Sequence, residues 1–197
     1  MTDRAANKHR WLWLVCVTAF CCSRVTAAEA HRLYSHVVTI PERGDVTGYV
    51  LCVEDTKFSF VPPVNWSVKY DPEKKATTLL PLDLDVGISF VTVFQSAEPR
   101  PELNAERLRE KLLERYPDAL IREQFKCYAS GKEGLAFDFE RVMEKEVRVA
   151  FRVAFVAFDD GIVEFEMKTS SDRFPKYHHA FGNLLNSFRI GPRSGVK

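Results

Sequence analysis

The stretch Leu135–Thr169, LAFDFERVMEKEVRVAFRVAFVAFDDGIVEFEMKT, decides the fold class. Leu135, Phe137 and Phe139 alternate with Ala136, Asp138 and Glu140. Val147, Val149, Phe151, Val153 and Phe155 alternate with Arg148, Ala150, Arg152 and Ala154, and Val163, Phe165 and Met167 alternate with Glu164, Glu166 and Lys168. A period of two over three successive runs predicts three antiparallel strands, each with one apolar face. Directly opposed residues share a face, so parity predicts the register. A loop Glu144-Lys145-Glu146 opposes Phe139 to Phe151 and Asp138 to Arg152. A loop Asp159-Asp160-Gly161 opposes Phe155 to Phe165 and Val153 to Met167, with Gly161 in the left-handed position of a three-residue hairpin. The charged stripe this creates is read as a solvated sheet face, or one partly covered by a helix.

Outward from this core, SDRFPKYHHAFGNLLNSFRI aligns Phe174, Tyr177, Phe181, Leu184, Leu185 and Phe188 at helical spacing. It predicts a C-terminal amphipathic helix on the sheet, capped by Ser171 or Asp172, with Pro175 in its first turn. Upstream, NAERLREKLLERY predicts a second amphipathic helix, capped by Asn104 and stopped by Pro117. VGISFVTVF, residues 86–94, is apolar on both parities and reads as a central strand. Shorter strands are expected near Tyr49–Val53, Lys57–Val61, within Asn65–Asp71 with Trp66 as a large anchor, and near Ala76–Leu80, with turns at Glu54-Asp55 and Asp71-Pro72. The expected fold is α+β: an α/β/α sandwich with a mainly antiparallel central sheet and a C-terminal amphipathic helix.

The chain opens with Arg4, Lys8 and Arg10, followed by the apolar run WLWLVCVTAFCC, residues 11–22. That run is shorter than the ~20 residues a membrane-spanning helix needs, and the small-residue segment SRVTAAEA follows it. Residues 1–28 are therefore expected to be a cleaved secretory signal. Phe20 before Cys21 disfavours lipid attachment there, so no stable membrane insertion is expected after cleavage. Residues 29–48 are expected to be loosely ordered, 49–190 to form one domain, and 191–197 to be a disordered tail.

Of 28 basic and 27 acidic residues, the leader contains four and one, which leaves 24 basic against 26 acidic. A near-neutral, mixed surface lacks the footprint that a nucleic-acid backbone selects. Of five cysteines, Cys52 and Cys127 lie beyond the leader. An even number in an oxidising compartment admits a disulfide, and two buried thiols fit the composition equally. Both readings stand.

Phe58, Phe60, Pro63, Trp66, Gly134, Leu184, Leu185, Ser187 and Phe188 carry a resemblance to the PsbP/Mog1-like superfamily, in its secreted bacterial branch. In that pattern a strand runs into a Pro-x-x-Trp turn, and a helix closes on a leucine-serine-phenylalanine ending. The likeness spans about residues 49–190. It implies a binding or assembly scaffold, since family members dock onto a photosynthetic complex or a small GTPase. Neither partner carries over: no partner-binding residue matches, and a secretory signal excludes a cytosolic GTPase.

No catalytic, cofactor or metal site is predicted. His178 and His179 are adjacent on a helix and point about 100° apart, a poor arrangement for one ion. His31 and His36 lack a neighbouring carboxylate pattern. Asp83-x-Asp85 lacks the remaining spacing of a calcium loop, and Gly131-Lys132-Glu133-Gly134 lacks that of a phosphate loop. Asn65-Trp66-Ser67 is a formal glycosylation sequon. Glu164 and Glu166 share a strand face, for which solvation is the simple reading. The expected function is an exported, periplasmic or extracellular, non-enzymatic binding or assembly module whose partner is another protein of the envelope or exterior. The alternative is a small hydrolase or ligand-processing enzyme with a site assembled from scattered residues.

Overall fold

Strand-forming alternation dominates the chain, and the computed structural model, described over residues 31–42, 44–94, 102–143 and 146–192, resolves it into two antiparallel sheets with two helices. The chain order is β1 His31–Ile40, β2 Gly44–Val53, β3 Thr56–Phe60, β4 Trp66–Asp71, β5 Ala76–Pro81, β6 Val86–Phe94 and α1 Ala105–Arg115. It continues with β7 Leu120–Ala129, β8 Lys132–Val142, β9 Arg148–Phe158, β10 Gly161–Ser170, α2 Phe174–Ser187 and β11 Arg189–Pro192. The larger sheet has the order β4-β5-β6-β10-β9-β8-β7, and the smaller β1-β2-β3-β11.

The main core lies between one face of the larger sheet and a layer made of β2, β3 and α2. At its centre Phe188, fully buried, meets Phe58, Phe60, Phe90 and Phe165, with ring centroids 4.8 to 6.1 Å apart. The other face of the larger sheet is covered by α1. There Leu108 and Leu112 pack on Phe137, Phe139, Phe151, Val153 and Phe155. A helix thus lies on each face of an antiparallel sheet, and on one face a second sheet shares the layer.

Several expectations are corrected. Between β9 and β10 the loop has two residues, Asp159 and Asp160, so Phe155 faces Glu164 and Met167 faces Arg152. The parity argument assumed that one face met water. Both faces of β9 are covered, which leaves Glu164 and Glu166 beneath α1 and Phe165 and Met167 in the main core. Gly161 does not have a positive φ. It is required for close approach, because a Cβ there would lie 2.1 Å from the Val93 carbonyl oxygen of neighbouring β6. Between β8 and β9 the expected register holds, with Phe139 opposite Phe151 and Asp138 opposite Arg152. Of that hairpin's loop, Glu144 and Lys145 lie outside the described residues.

Much of the segment expected to be loose is a hairpin: β1 pairs along its whole length with β2, which begins at Gly44 rather than near Tyr49. β1 is an edge strand with mostly exposed side chains, so it carries no apolar alternation to mark it. Likewise Gly191 and Pro192 belong to β11, paired with Lys57 and Thr56. The expected leader and residues 193–197 lie outside the described residues. β7, exposed at most positions, is a fourth strand in the second half of the chain.

The Asn104 cap is observed, its Oδ1 accepting from the Arg107 N–H at 3.0 Å. The N-cap position of α2 is Arg173, which makes no side-chain cap bond, and neither Ser171 nor Asp172 occupies it. Two ion pairs pin its first turn to the β5–β6 loop instead, Arg173 with Asp85 and Lys176 with Asp83 at 3.9 Å.

Candidate functional site

Pro62 and Pro63 end β3, and a tight turn follows. The Trp66 N–H donates to the Pro63 carbonyl at 3.1 Å, with Asn65 at φ 65° in the left-handed region that asparagine tolerates. The start of this loop is tied to the end of α2. The Val61 N–H donates to Ser187 Oγ at 3.1 Å, and the Ser187 hydroxyl lies within bonding reach of the Val61 and Leu184 carbonyls at 3.1 and 2.9 Å. Ser187 thus clamps the loop to the end of α2. Trp66 closes the arrangement from β4, edge-on to Tyr177 of α2 at 6.1 Å.

The space so framed is a groove of about 1070 Å³. One wall is the β1–β2 hairpin at Ile40, Val46, Thr47 and Tyr49, and another the loop Val61–Trp66. The third is the outer side of α2 at Ala180, Asn183, Asn186 and Ser187. Among the described residues, none lining it is Asp, Glu, His, Lys, Arg or Cys. Three carboxamides are among its polar groups, with Thr47, Tyr49, Trp66 and Ser187, and no described residue hydrogen-bonds to the side chains of Asn65, Asn183 or Asn186.

The ionisable groups singled out from sequence lie outside this groove, and the carboxylates among them tie elements together. Glu164 takes both arms of the Arg115 guanidinium, and the Tyr116 hydroxyl donates to Glu166 at 2.7 Å. Burial, aided by Glu166, pushes the Tyr116 phenol up to about 12. Asp138 accepts from Arg152 Nε and Nη2 at 2.7 and 2.6 Å, under α2, where the guanidinium also lies over the Phe125 and Phe174 rings. His178 sits edge-on to Phe174, and its Nε2 is buried without a hydrogen-bond partner. Desolvation, together with nearby Arg152, lowers its pKa. His179 is exposed, and His31 and His36 lie on β1.

Asp83 and Asp85 anchor α2, and Ser130-Gly131, both with positive φ, make the tight turn between β7 and β8. Among the described residues, no group of three or more His, Cys, Asp or Glu side chains could hold a metal ion.

Cys52 and Cys127 are both buried free thiols. Cys127 belongs to the main core, whereas Cys52 alternates with core residues Leu51 and Val53 and so points away from it. The structure therefore contains no bridge between them. Of the residues that carried the family resemblance, Phe58, Phe60, Leu184, Leu185 and Phe188 are core, and Pro63, Trp66 and Ser187 line the groove. Sequence reasoning missed Asn183 and Asn186. Their one signal was two polar positions, three apart, on the helix side opposite the aromatic stripe.

No family model matches the chain, and no curated protein matches it. Among solved structures it is similar to cyanobacterial PsbP (CyanoP) from Synechocystis sp. PCC 6803, with a TM-score of 0.54 and 13% identity over 88% of this chain and 99% of that one. It is also similar, at a TM-score of 0.44 and 9% identity over 82% and 92% of the two chains, to LpqN of Mycobacterium tuberculosis, described as involved in cell envelope biogenesis. A Pseudomonas aeruginosa protein of unknown function, described as a putative regulator, gives 0.42 and 11% over 77% and 96%. The first likeness is one of fold; the other two scores are too low to argue from. Among the described residues, no helix is long and apolar enough to cross a membrane.

Proposed function

We propose that the chain is a non-enzymatic binding module of the cell envelope or exterior, and that the groove between α2, the β1–β2 hairpin and the Val61–Trp66 loop is its working surface. The observation that carries this reading is the chemistry of the lining. Catalysis by proton transfer or nucleophilic attack needs converging groups whose pKa values suit the task. The groove offers carboxamides, aliphatic side chains, prolines, two aliphatic hydroxyls and the rings of Tyr49 and Trp66, with no Asp, Glu, His, Lys, Arg or Cys among its described lining. The carboxylates Glu164, Glu166 and Asp138 are engaged by Arg115, Tyr116 and Arg152 on the two faces of the large sheet. The exported location rests on the N-terminal charge and hydropathy pattern, and the PsbP-like fold is compatible with it.

The test uses a photo-crosslinking residue at position 65 of the full chain in its native cell envelope. A discrete protein adduct is expected, and Asn183→Trp, which fills the groove from an exposed helical position, should abolish it while leaving the circular dichroism unchanged. An adduct indifferent to Asn183→Trp would overturn the reading. So would a measurable turnover lost on replacing Glu164, Glu166 or Asp138 while the fold persists.

A further inference from the structure

We propose that the groove binds an extended, uncharged stretch of polypeptide with apolar side chains, presented by the partner; this inference rests on the binding-module reading above. A charged ligand buried here would lose hydration and find no opposite charge among the described residues of the lining, a cost that selects against it. Each free carboxamide offers two N–H donors and one acceptor oxygen, complementary to the donor and acceptor of a peptide unit. Asn183 and Asn186 stand three residues apart on α2, a separation of ~4.5 Å along the helix axis, so that both can engage one main chain running beside it.

The rest of the lining is mainly aliphatic. Ile40, Val46 and Val61 line it with the two prolines, and Val64 stands 79% exposed at the rim. Such surface suits the apolar side chains that leave an extended peptide on alternate sides. Trp66 and Tyr49 make a neutral sugar the competing occupant, which the experiment separates from a peptide. At about 1070 Å³ the groove lies just above the ~300–1,000 Å³ range of small-molecule sites, with room for several residues of chain.

The experiment exposes the full chain to two immobilised arrays of capped, randomised octapeptides, one of uncharged residues only and one with a single Asp, Glu, Lys or Arg in each. Binders should concentrate in the uncharged array, with apolar residues at alternate positions. Their binding should vanish with Asn183→Trp and fall about tenfold with Asn186→Asp, the equivalent of one hydrogen bond. Enrichment in the charged array, or binders in neither, overturns the proposal. A parallel NMR titration of the asparagine side-chain amides with chitotetraose separates the two levels of inference. If the neutral sugar alone shifts Asn183 and Asn186, the peptide proposal fails and the binding module stands. If neither probe engages the groove and Asn183→Trp leaves the native crosslink intact, both fail.

Discussion

The Arg115 guanidinium, in the last turn of α1, forks onto the Glu164 carboxylate of β10, with its Nη2 to Oε2 arm at 3.0 Å. The pair joins a helix to the sheet beneath it across 49 residues of sequence. Glu164 is largely covered and Arg115 is nearly half exposed, so solvent screens part of the attraction. Arg115→Ala should cost about 1 kcal/mol, and a double-mutant cycle with Glu164→Gln should show a coupling of similar size. Additive single effects in urea unfolding would show that the two side chains do not act together.

Gly161→Ala tests the β9–β10 register. In the observed pairing the new Cβ meets the backbone of β6, at the Val93 carbonyl and at the Phe94 Cα, and neither can give way as a flexible side chain would. A loss on the order of 1–3 kcal/mol is expected from the forced strand separation. With a three-residue loop and Gly161 at its left-handed position, the amide signals of residues 93 and 94 would not move; here they should shift most.

Asp138→Ala leaves the Arg152 guanidinium under α2 with two aromatic faces and no carboxylate. Removing one partner of a buried pair strands the other charge, and about 3 kcal/mol should be lost. Replacing both residues by apolar ones of similar volume should recover most of that. Equal stability of wild type and Asp138→Ala in chemical unfolding would contradict the buried arrangement.

Alkaline pH should destabilise the fold. Burial raises the Cys127 thiol from its ordinary 9.0 to about 11, so between those values the unfolded chain releases a proton that the folded one keeps. Stability is therefore full below pH ~9 and declines as pH rises towards 11, and Tyr116 extends the decline towards 12. Cys127→Ala should flatten the first part of the curve. At neutral pH, peptide mapping after iodoacetamide treatment should find Cys52 and Cys127 modified only once the protein is denatured.

Ser187→Ala removes the hydroxyl that ties Val61 to the end of α2. The global cost should be about 1 kcal/mol. Hydrogen exchange at Val61 and through the Pro63–Trp66 turn should accelerate more than in β8 or β9, because the tie is local to the groove wall. Uniform acceleration across the molecule would mean that Ser187 supports the core rather than the groove.

Wherever one element carries its own periodicity, its identity was legible in the sequence. α1 with its Asn104 cap, the aromatic stripe of α2 and the β8–β9 hairpin all follow from spacing along a single segment. Pairing Asp138 with Arg152 succeeded because alternation on both strands pointed the same way. β1 was obscure for the converse reason, since an edge strand with exposed side chains needs no apolar period.

What sequence could not supply was knowledge of which surfaces other elements cover. Glu164 and Glu166 look like a solvated face until α1 lays Arg115 and Tyr116 over them, and that covering reverses the register argument for β10. The groove is likewise invisible along the chain, because its walls come from residues 40–49, 61–66 and 180–187. Local spacing determined the two helices, most of the strands and the absence of any recognisable catalytic motif. Only tertiary structure decided which carboxylates are buried, which serine is a clamp and where uncommitted amides converge, because each depends on contacts between segments far apart in the chain.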